Sequence, residues 1–326
     1  MHCLPATPWR LAACALLAGA LLFLAACGTP PTASPTPRPV LPTPGSTPSV
    51  LPPLEDVPAV ARVNEVEIPS TVYGQELLRN AKLMALKQGV DWYSAEGQAR
   101  LPAFRESILD QLINQELLRQ LAEAEGVEAD EAKARALAAS AAQALVQQLK
   151  YDSFAAFLKD FQLSEEEFVA TFRFQVLYQE MLRRHGGPPN TEQVQIRHIL
   201  TFTEKDAQEA KARLEAGEPF EKVARELSEE PGTRLRGGLM EWLPRGMMPP
   251  EMEERAFSLP VGQTSDVFHT DSGYHIIQVV GREVRPVREE ILDRYRQQNF
   301  QQWFAQEKAK ARIVKYVTFL PSTPVP

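Results

Sequence analysis

Thr270-Asp271-Ser272-Gly273-Tyr274-His275-Ile276-Ile277-Gln278-Val279-Val280 reads as a turn at Asp271-Ser272-Gly273 that feeds a β-branched strand. Side chains two apart on a strand share a face, so His275 lies alongside Ile277 and Val279. A valine would pack there at no polar cost, whereas a buried imidazole needs a hydrogen-bond partner. The pattern recurs upstream. In Val194-Gln195-Ile196-Arg197-His198-Ile199-Leu200, His198 has the parity of Ile196 and Leu200. A single inward histidine is ordinarily a core residue satisfied by one hydrogen bond. Two such placements among only five histidines point to a site. If the strands are neighbours, one ring can donate and the other accept, each fixing the other's tautomer. No carboxylate or third histidine stands at ligand spacing from either, so no metal is expected and no cofactor is signalled.

The chain of 326 residues has room for two domains. Its formal charge of -7, with no basic cluster, argues against a nucleic-acid partner. Arg10 precedes an apolar run too short for a comfortable membrane span, so residues 1–26 read as a signal peptide. The run ends in Leu24-Ala25-Ala26-Cys27, which resembles a bacterial lipobox, and Cys27 is the expected lipidation site. Cys3 and Cys14 would leave with the leader, so the folded part would rest on burial without a disulfide. Two acyl chains would give lasting attachment to a bilayer. Residues 27–58 are rich in Pro, Thr and Ser and form a tether rather than a core. At roughly 3 Å per residue its reach is up to about 90 Å.

The expected fold class is α+β. Val60 to Ile68 alternates around Asn64-Glu65 as a short hairpin, and residues 59–187 then form a helical domain. Ser70 is a candidate N-cap for a helix ending at Gly89, and a second helix is expected from about Leu101 to Glu125. Asp130 and Ser153 are further caps, and Ser164-x-x-Glu167 is a capping box. Gly186-Gly187-Pro188-Pro189 marks a boundary. Residues 191–285 read as strand, three helices and two strands, a compact antiparallel-sheet domain inserted into the helical one. Residues 286–316 form an amphipathic helix, with Ile291, Phe300, Trp303 and Phe304 needing a groove, expected to dock back on the helical domain. Residues 317–326 are expected to be a disordered tail.

From Val194 to about Val284 the sequence resembles a parvulin-type peptidyl-prolyl cis/trans isomerase. The resemblance rests on Ile196-Arg197-His198-Ile199-Leu200, Phe220-Glu221-Lys222-Val223-Ala224, Leu227-Ser228, Gly237-Gly238 and Trp242. It continues through Arg245-Gly246-Met247-Met248, Ala256-Phe257-Ser258-Leu259, Gly262 and the run from Thr270 to Ile277. The flanks resemble PrsA- and SurA-type extracytoplasmic foldases in layout. The resemblance implies that His198 and His275 pair at the floor of the prolyl site, with Thr270 and Ser272 holding their network. It implies a proline pocket lined by Met240, Met248 and Met252, with Phe257 behind, and makes Glu230 the polarising acid.

This chain departs from the family at three points. Glu230 stands where relatives carry cysteine or aspartate. Gly237-Gly238-Leu239-Met240-Glu241-Trp242-Leu243 replaces Gly-Gly-Asp-Leu-Gly-Trp-Phe, and Met252 replaces the pocket aromatic, with Pro249 nearby. Three methionines make a soft pocket, tolerant of varied residues around proline. The loop Thr201 to Asp206 lacks the basic cluster that phosphate recognition needs. The expected activity is therefore isomerisation of X-Pro bonds without phospho-specificity, by a lipid-anchored foldase outside the cytoplasm. Expected partners are unfolded or partly folded secreted polypeptides containing proline, the bilayer through acylated Cys27, and a second copy through the helical domain. A holdase with a degenerate parvulin domain and an envelope scaffold lipoprotein are the alternatives.

Overall fold

A computed structural model describes residues 57–319. The leader, Cys27 and nearly all of the tether lie outside the described residues. The chain divides into two compact units, one reaching to Met181 and resuming at Gln306, the other running from Leu182 to Ala305.

The first unit opens on the expected hairpin. Strands β1 (Ala59–Val63) and β2 (Val66–Pro69) pair antiparallel around Asn64, whose φ of 54° suits the left-handed turn position that asparagine tolerates. Helices α1 (Ser70–Gln88), α2 (Ala95–Ala124), α3 (Glu131–Leu149), α4 (Phe154–Asp160) and α5 (Glu165–His185) follow. Local chemistry sets most of their starts. Asp130 accepts from Lys133 N at 3.0 Å, and Ser153 accepts from Ala156 N at 3.1 Å. Ser164 and Glu167 close a reciprocal box, with Glu167 N to Ser164 Oγ at 3.1 Å and Ser164 N to Glu167 Oε2 at 2.8 Å.

Two expected starts shift. Pro69, not Ser70, occupies the cap of α1 and makes no side-chain bond. The second helix begins at Ala95 because Ser94 accepts from Gly97 N, and Pro102 is carried inside it. An aromatic cluster of Phe157, Phe161, Phe168 and Phe172, with Leu145, fills the core between the last three helices.

The end of the chain also departs from expectation. A strand at Ile313–Lys315 pairs with β1, giving a three-stranded sheet with β1 in the centre. Beyond it Phe319, assigned to a disordered tail, stacks on Tyr73 at 5.7 Å between ring centroids. The last seven residues lie outside the described ones.

The second unit is a four-stranded antiparallel sheet. Its elements are β3 (Asn190–Thr201), α6 (Glu204–Glu215), α7 (Phe220–Leu227), β4 (Leu243–Pro244), α8 (Pro250–Ser258), β5 (Phe268–Thr270) and β6 (Gly273–Pro286). Strand order is β4-β3-β6-β5. One face packs Ile199 and Ile276 against Ala210, Phe220, Val223 and Ala224 of α6 and α7. The other packs Val194, Ile196, Ile277 and Val279 against Met252, Ala256, Phe257 and Phe268. The sheet-bearing unit agrees with the expected α+β class.

A bulge interrupts the long β3/β6 ladder: Ile196 faces Val279 while Gln195 faces Gly281, and Val280 is left over. The extra residue reverses the parity of everything beyond it. Arg282 therefore joins the face of Val279 and caps the end of α8, its Nη2 donating to Ala256 O at 2.9 Å and Leu259 O at 2.8 Å.

The C-terminal helix α9 (Glu289–Lys310) corrects the expectation that it docks wholly on the helical domain. Val287, Ile291 and Tyr295 bury with Leu243 and the partly buried Met240, Met247 and Met248 of the sheet unit. Trp303 stacks on His185 of the same unit at 3.7 Å. Only the last turn joins the first unit, where Lys308 Nζ donates to Asn114 Oδ1 at 2.8 Å. The apolar stripe at its start is met by Met240, Met247 and Met248 of the methionine loop, which precedes α8.

Candidate active site

The register of β3 on β6 fixes the site. Ile196 faces Val279, His198 faces Ile277 and Leu200 faces His275, so both imidazoles sit on one side of the sheet, diagonally across the ladder. His198 Nε2 lies 2.7 Å from His275 Nδ1, with ring centroids 4.9 Å apart and planes 17° from parallel. His275 Nε2 lies 2.7 Å from Thr270 Oγ1, which also accepts from the Ser272 backbone N at 3.2 Å.

Neutral histidine carries one ring proton. If Thr270 donates to Nε2, His275 must donate from Nδ1 to His198; if His198 donates, His275 must donate to Thr270. The three side chains therefore share one proton order. Both rings are buried, at 5% and 3% exposure. Burial pushes both histidines below their ordinary range, reinforced at His198 by His275 and at His275 by His269, with Glu230 opposing at His275. The pair is neutral at pH 7.

The backbone around His198 is clamped from the edge opposite β6. His198 N donates to Gly238 O at 2.9 Å, and Met240 N donates to Ile196 O at 2.9 Å. Gly238 has φ of 77°, and a Cβ there would sit 2.5 Å from His198 O. This is the physical reason for the second glycine of the Gly237-Gly238 pair. Farther along the edge, Leu200 O accepts from Glu229 N at 2.7 Å, and buried Ser228 Oγ accepts from Leu200 N at 3.2 Å. Ser228 thereby seats the loop carrying Glu230.

Beside the rings lies an apolar cluster. Met252 and Phe257 are buried in it, and Met240 and Met248 are packed partly buried against it, so the four residues expected to bind proline come together. Phe268 belongs with them. It lies 5.3 Å from His275, 21° from parallel, and was not among the residues the sequence singled out. The signal was present, since Phe268 stands two before Thr270 on the same strand. Arg245 caps the Phe257 ring at 4.0 Å and Arg255 the Phe268 ring at 4.4 Å.

Two expected roles change, and one residue given no role proves structural. Ser272 is exposed and reaches Thr270 through its backbone N, not its hydroxyl. Glu230 influences His275 electrostatically but bonds neither imidazole, its Oε1 accepting instead from Gly232 N at 3.0 Å. The extra methylene lets the carboxylate curl back on its own loop. Trp242 is structural: it covers Gly281, where a Cβ would be 2.7 Å from its ring, and Arg285 covers the ring at 4.7 Å. Among the described residues no group of three His, Cys, Asp or Glu could hold a metal ion. Among them, too, no helix is long and apolar enough to cross a membrane.

A histidine pair on adjacent antiparallel strands, beside a methionine and phenylalanine cluster, is the arrangement that the resemblance to parvulin-type domains implies. Residues 195–281 match the family described as Rotamase, the PPIC-type PPIASE domain, and residues 50–182 match the SurA-like N-terminal domain. The chain thus carries one stretch similar to parvulin-type rotamase domains and another similar to SurA-like N-terminal domains. Foldase protein PrsA of Geobacillus kaustophilus is 46% identical over 96 residues, 29% of this chain and 34% of that relative. Foldase protein PrsA of Caldanaerobacter subterraneus subsp. tengcongensis is 32% identical over 203 residues, 60% of this chain and 62% of that one. A crystal structure of a peptidylprolyl isomerase, PrsA, from Bacillus anthracis aligns with a TM-score of 0.42 at 22% identity, covering 62% of this chain and 96% of that one. The chain spans less than two thirds of the length of the curated relatives it matches here, from 34% to 62%.

Proposed function

We propose that this chain is a foldase outside the cytoplasm that isomerises X-Pro bonds in secreted polypeptides, held to a bilayer by acylated Cys27. The observation that carries the reading is the His198–His275–Thr270 chain beside the apolar cluster of Met240, Met248, Met252, Phe257 and Phe268.

Rotation about an X-Pro bond faces a barrier of about 18–20 kcal/mol because the amide is conjugated. No covalent bond breaks. In the twisted state the prolyl nitrogen regains its lone pair and the amide loses its charge separation. A dry apolar clamp on the ring disfavours the polar planar amide relative to that state, and only such a difference accelerates the step. The neutral histidine pair supplies a floor of fixed hydrogen-bond direction without placing a charge in the pocket. No proton need move.

The absence of a basic cluster from Thr201 to Asp206 supports a reading without phospho-specificity. The engagement of Glu230 by Gly232 N favours the second reading, a holdase whose parvulin domain turns over slowly or not at all.

A protease-coupled assay on an X-Pro peptide tests the first reading with wild type, His275→Ala and Glu230→Ala. Turnover in wild type that falls with His275→Ala supports it, and wild type without turnover leaves the holdase. Turnover indifferent to both changes removes the site assignment. Palmitate labelling of the full chain against Cys27→Ser tests the anchor, which fails if labelling is unchanged.

A further inference from the structure

Four of the seven methionines of the chain, Met240, Met247, Met248 and Met252, crowd into one short segment. Cys3, Cys14 and Cys27 all precede the described residues, so every sulfur among the described residues is a methionine thioether. Burial grades them. Met240, Met247 and Met248 are half-buried, Met252 is 4% exposed, and Met181 in the first unit is fully buried. The backbone of the segment is pinned. Met240 N donates to Ile196 O at 2.9 Å, Met240 O accepts from Gln195 Nε2 at 3.3 Å, and Gly246 N donates to the Glu253 carboxylate.

The side chains join two apolar clusters of the sheet unit. Met240 and Met248 pack against the cluster of Met252, Phe257 and Phe268 beside the histidines. The same two, with Met247, pack against Leu243, Val287, Ile291 and Tyr295 at the start of α9. A thioether is apolar and adaptable enough to serve both clusters. Its sulfoxide carries a strong dipole that accepts hydrogen bonds, and in these clusters it meets hydrocarbon, which is costly. The guanidinium groups bordering the first cluster, Arg245 and Arg255, lie over the Phe257 and Phe268 rings.

We propose that Met240, Met247 and Met248 form a site of reversible oxidation by peroxides, at which sulfoxide formation releases the start of α9 and disrupts the apolar cluster beside the histidines. A sulfur lone pair attacks one oxygen of hydrogen peroxide, so the S–O bond forms as the O–O bond breaks. The proton on the transferred oxygen passes to the departing hydroxide, and water leaves. The thioether loses two electrons and the peroxide gains them. A dithiol returns the electrons through a sulfoxide reductase, leaving the thioether, a disulfide and water. The effect on turnover rests on the isomerase reading, whereas the release of α9 does not.

The test treats the full chain with hydrogen peroxide, maps sulfoxides against time by peptide mass spectrometry, and compares each protein with its own untreated sample. Met240, Met247 and Met248 should oxidise about fivefold or more faster than Met252 and Met181. Oxidised wild type should lose about tenfold in kcat/KM on an X-Pro peptide. Its urea midpoint should fall by about 0.5 M, with faster amide exchange from Val287 to Tyr295. Sulfoxide reductase with dithiothreitol should restore all three, a rescue that needs no variant. The triple change Met240→Leu, Met247→Leu and Met248→Leu conserves volume without sulfur and should abolish the response to peroxide. Met84→Leu is the control, since Met84 packs beside Trp92 and Leu101 in the first unit, and it should respond as wild type does. Oxidation of Met181 or Met252 ahead of the other three overturns the inference. So does a fully oxidised loop with unchanged midpoint and exchange, a loss that the reductase does not reverse, or the same loss in the triple variant. If untreated wild type turns over no peptide, the isomerase reading fails by itself, and the midpoint and exchange still decide whether the site exists.

Discussion

Replacing Thr270 by valine keeps the shape of the side chain and removes the hydroxyl. In the native chain that hydroxyl lies 2.7 Å from Nε2 of His275, a ring only 3% exposed, and accepts from Ser272 N at 3.2 Å. Its loss leaves a buried imidazole nitrogen without its partner, which costs about 1–3 kcal/mol. The added methyl returns at most about 0.8 kcal/mol, and less because Thr270 is half-buried. A net loss of about 1–2 kcal/mol should appear in urea unfolding as a lower midpoint at unchanged slope. The assignment to the hydrogen bond is separable from packing by a cycle with His275→Phe. With no imidazole present, Thr270→Val should cost almost nothing, giving a coupling of about 1 kcal/mol or more. Nitrogen NMR should also show His198 and His275 losing their single proton order in Thr270→Val. Additive costs and unchanged tautomers would refute the account of a continuous three-residue chain.

The histidines also set a pH dependence. Both titrate below their ordinary value of 6.5 when folded, because burial disfavours the cation, so between the folded and unfolded values the unfolded chain binds more protons. Stability should be full above about pH 6.5 and decline as pH falls below it, and a pH series of urea midpoints should lose that slope in a His198→Phe, His275→Phe double variant. Gly238→Ala places a Cβ 2.5 Å from His198 O at φ of 77° and should cost more than the about 1–2 kcal/mol of backbone strain alone, measurable by thermal unfolding. Arg282→Met deletes both bonds to the end of α8 and should loosen the helix bearing Met252 and Phe257, raising amide exchange there and lowering stability by about 1–3 kcal/mol.

Much of the local architecture was legible because short-range rules govern it. Asp130, Ser153 and the Ser164–Glu167 box start their helices as their side chains dictate, and Asn64 turns its hairpin. The histidines were legible for the same kind of reason. Parity on a strand is a local property, and both ring positions followed from counting residues by twos. Met240, Met248, Met252 and Phe257 came from a family resemblance, not from periodicity, and the fold brings them together.

Tertiary structure decided what counting by twos cannot reach. The bulge at Val280 reverses the face of Arg282 and turns a strand residue into a helix cap, because one extra residue in the ladder cannot be seen in one strand alone. Glu230 follows the nearest backbone donor, Gly232 N, instead of the imidazoles. Residues 286–316 divide between two units because α9 meets the methionine loop first and the strand after it finds the free edge of β1. Sequence set which side chains point inward; only the pairing of distant segments set what each one meets.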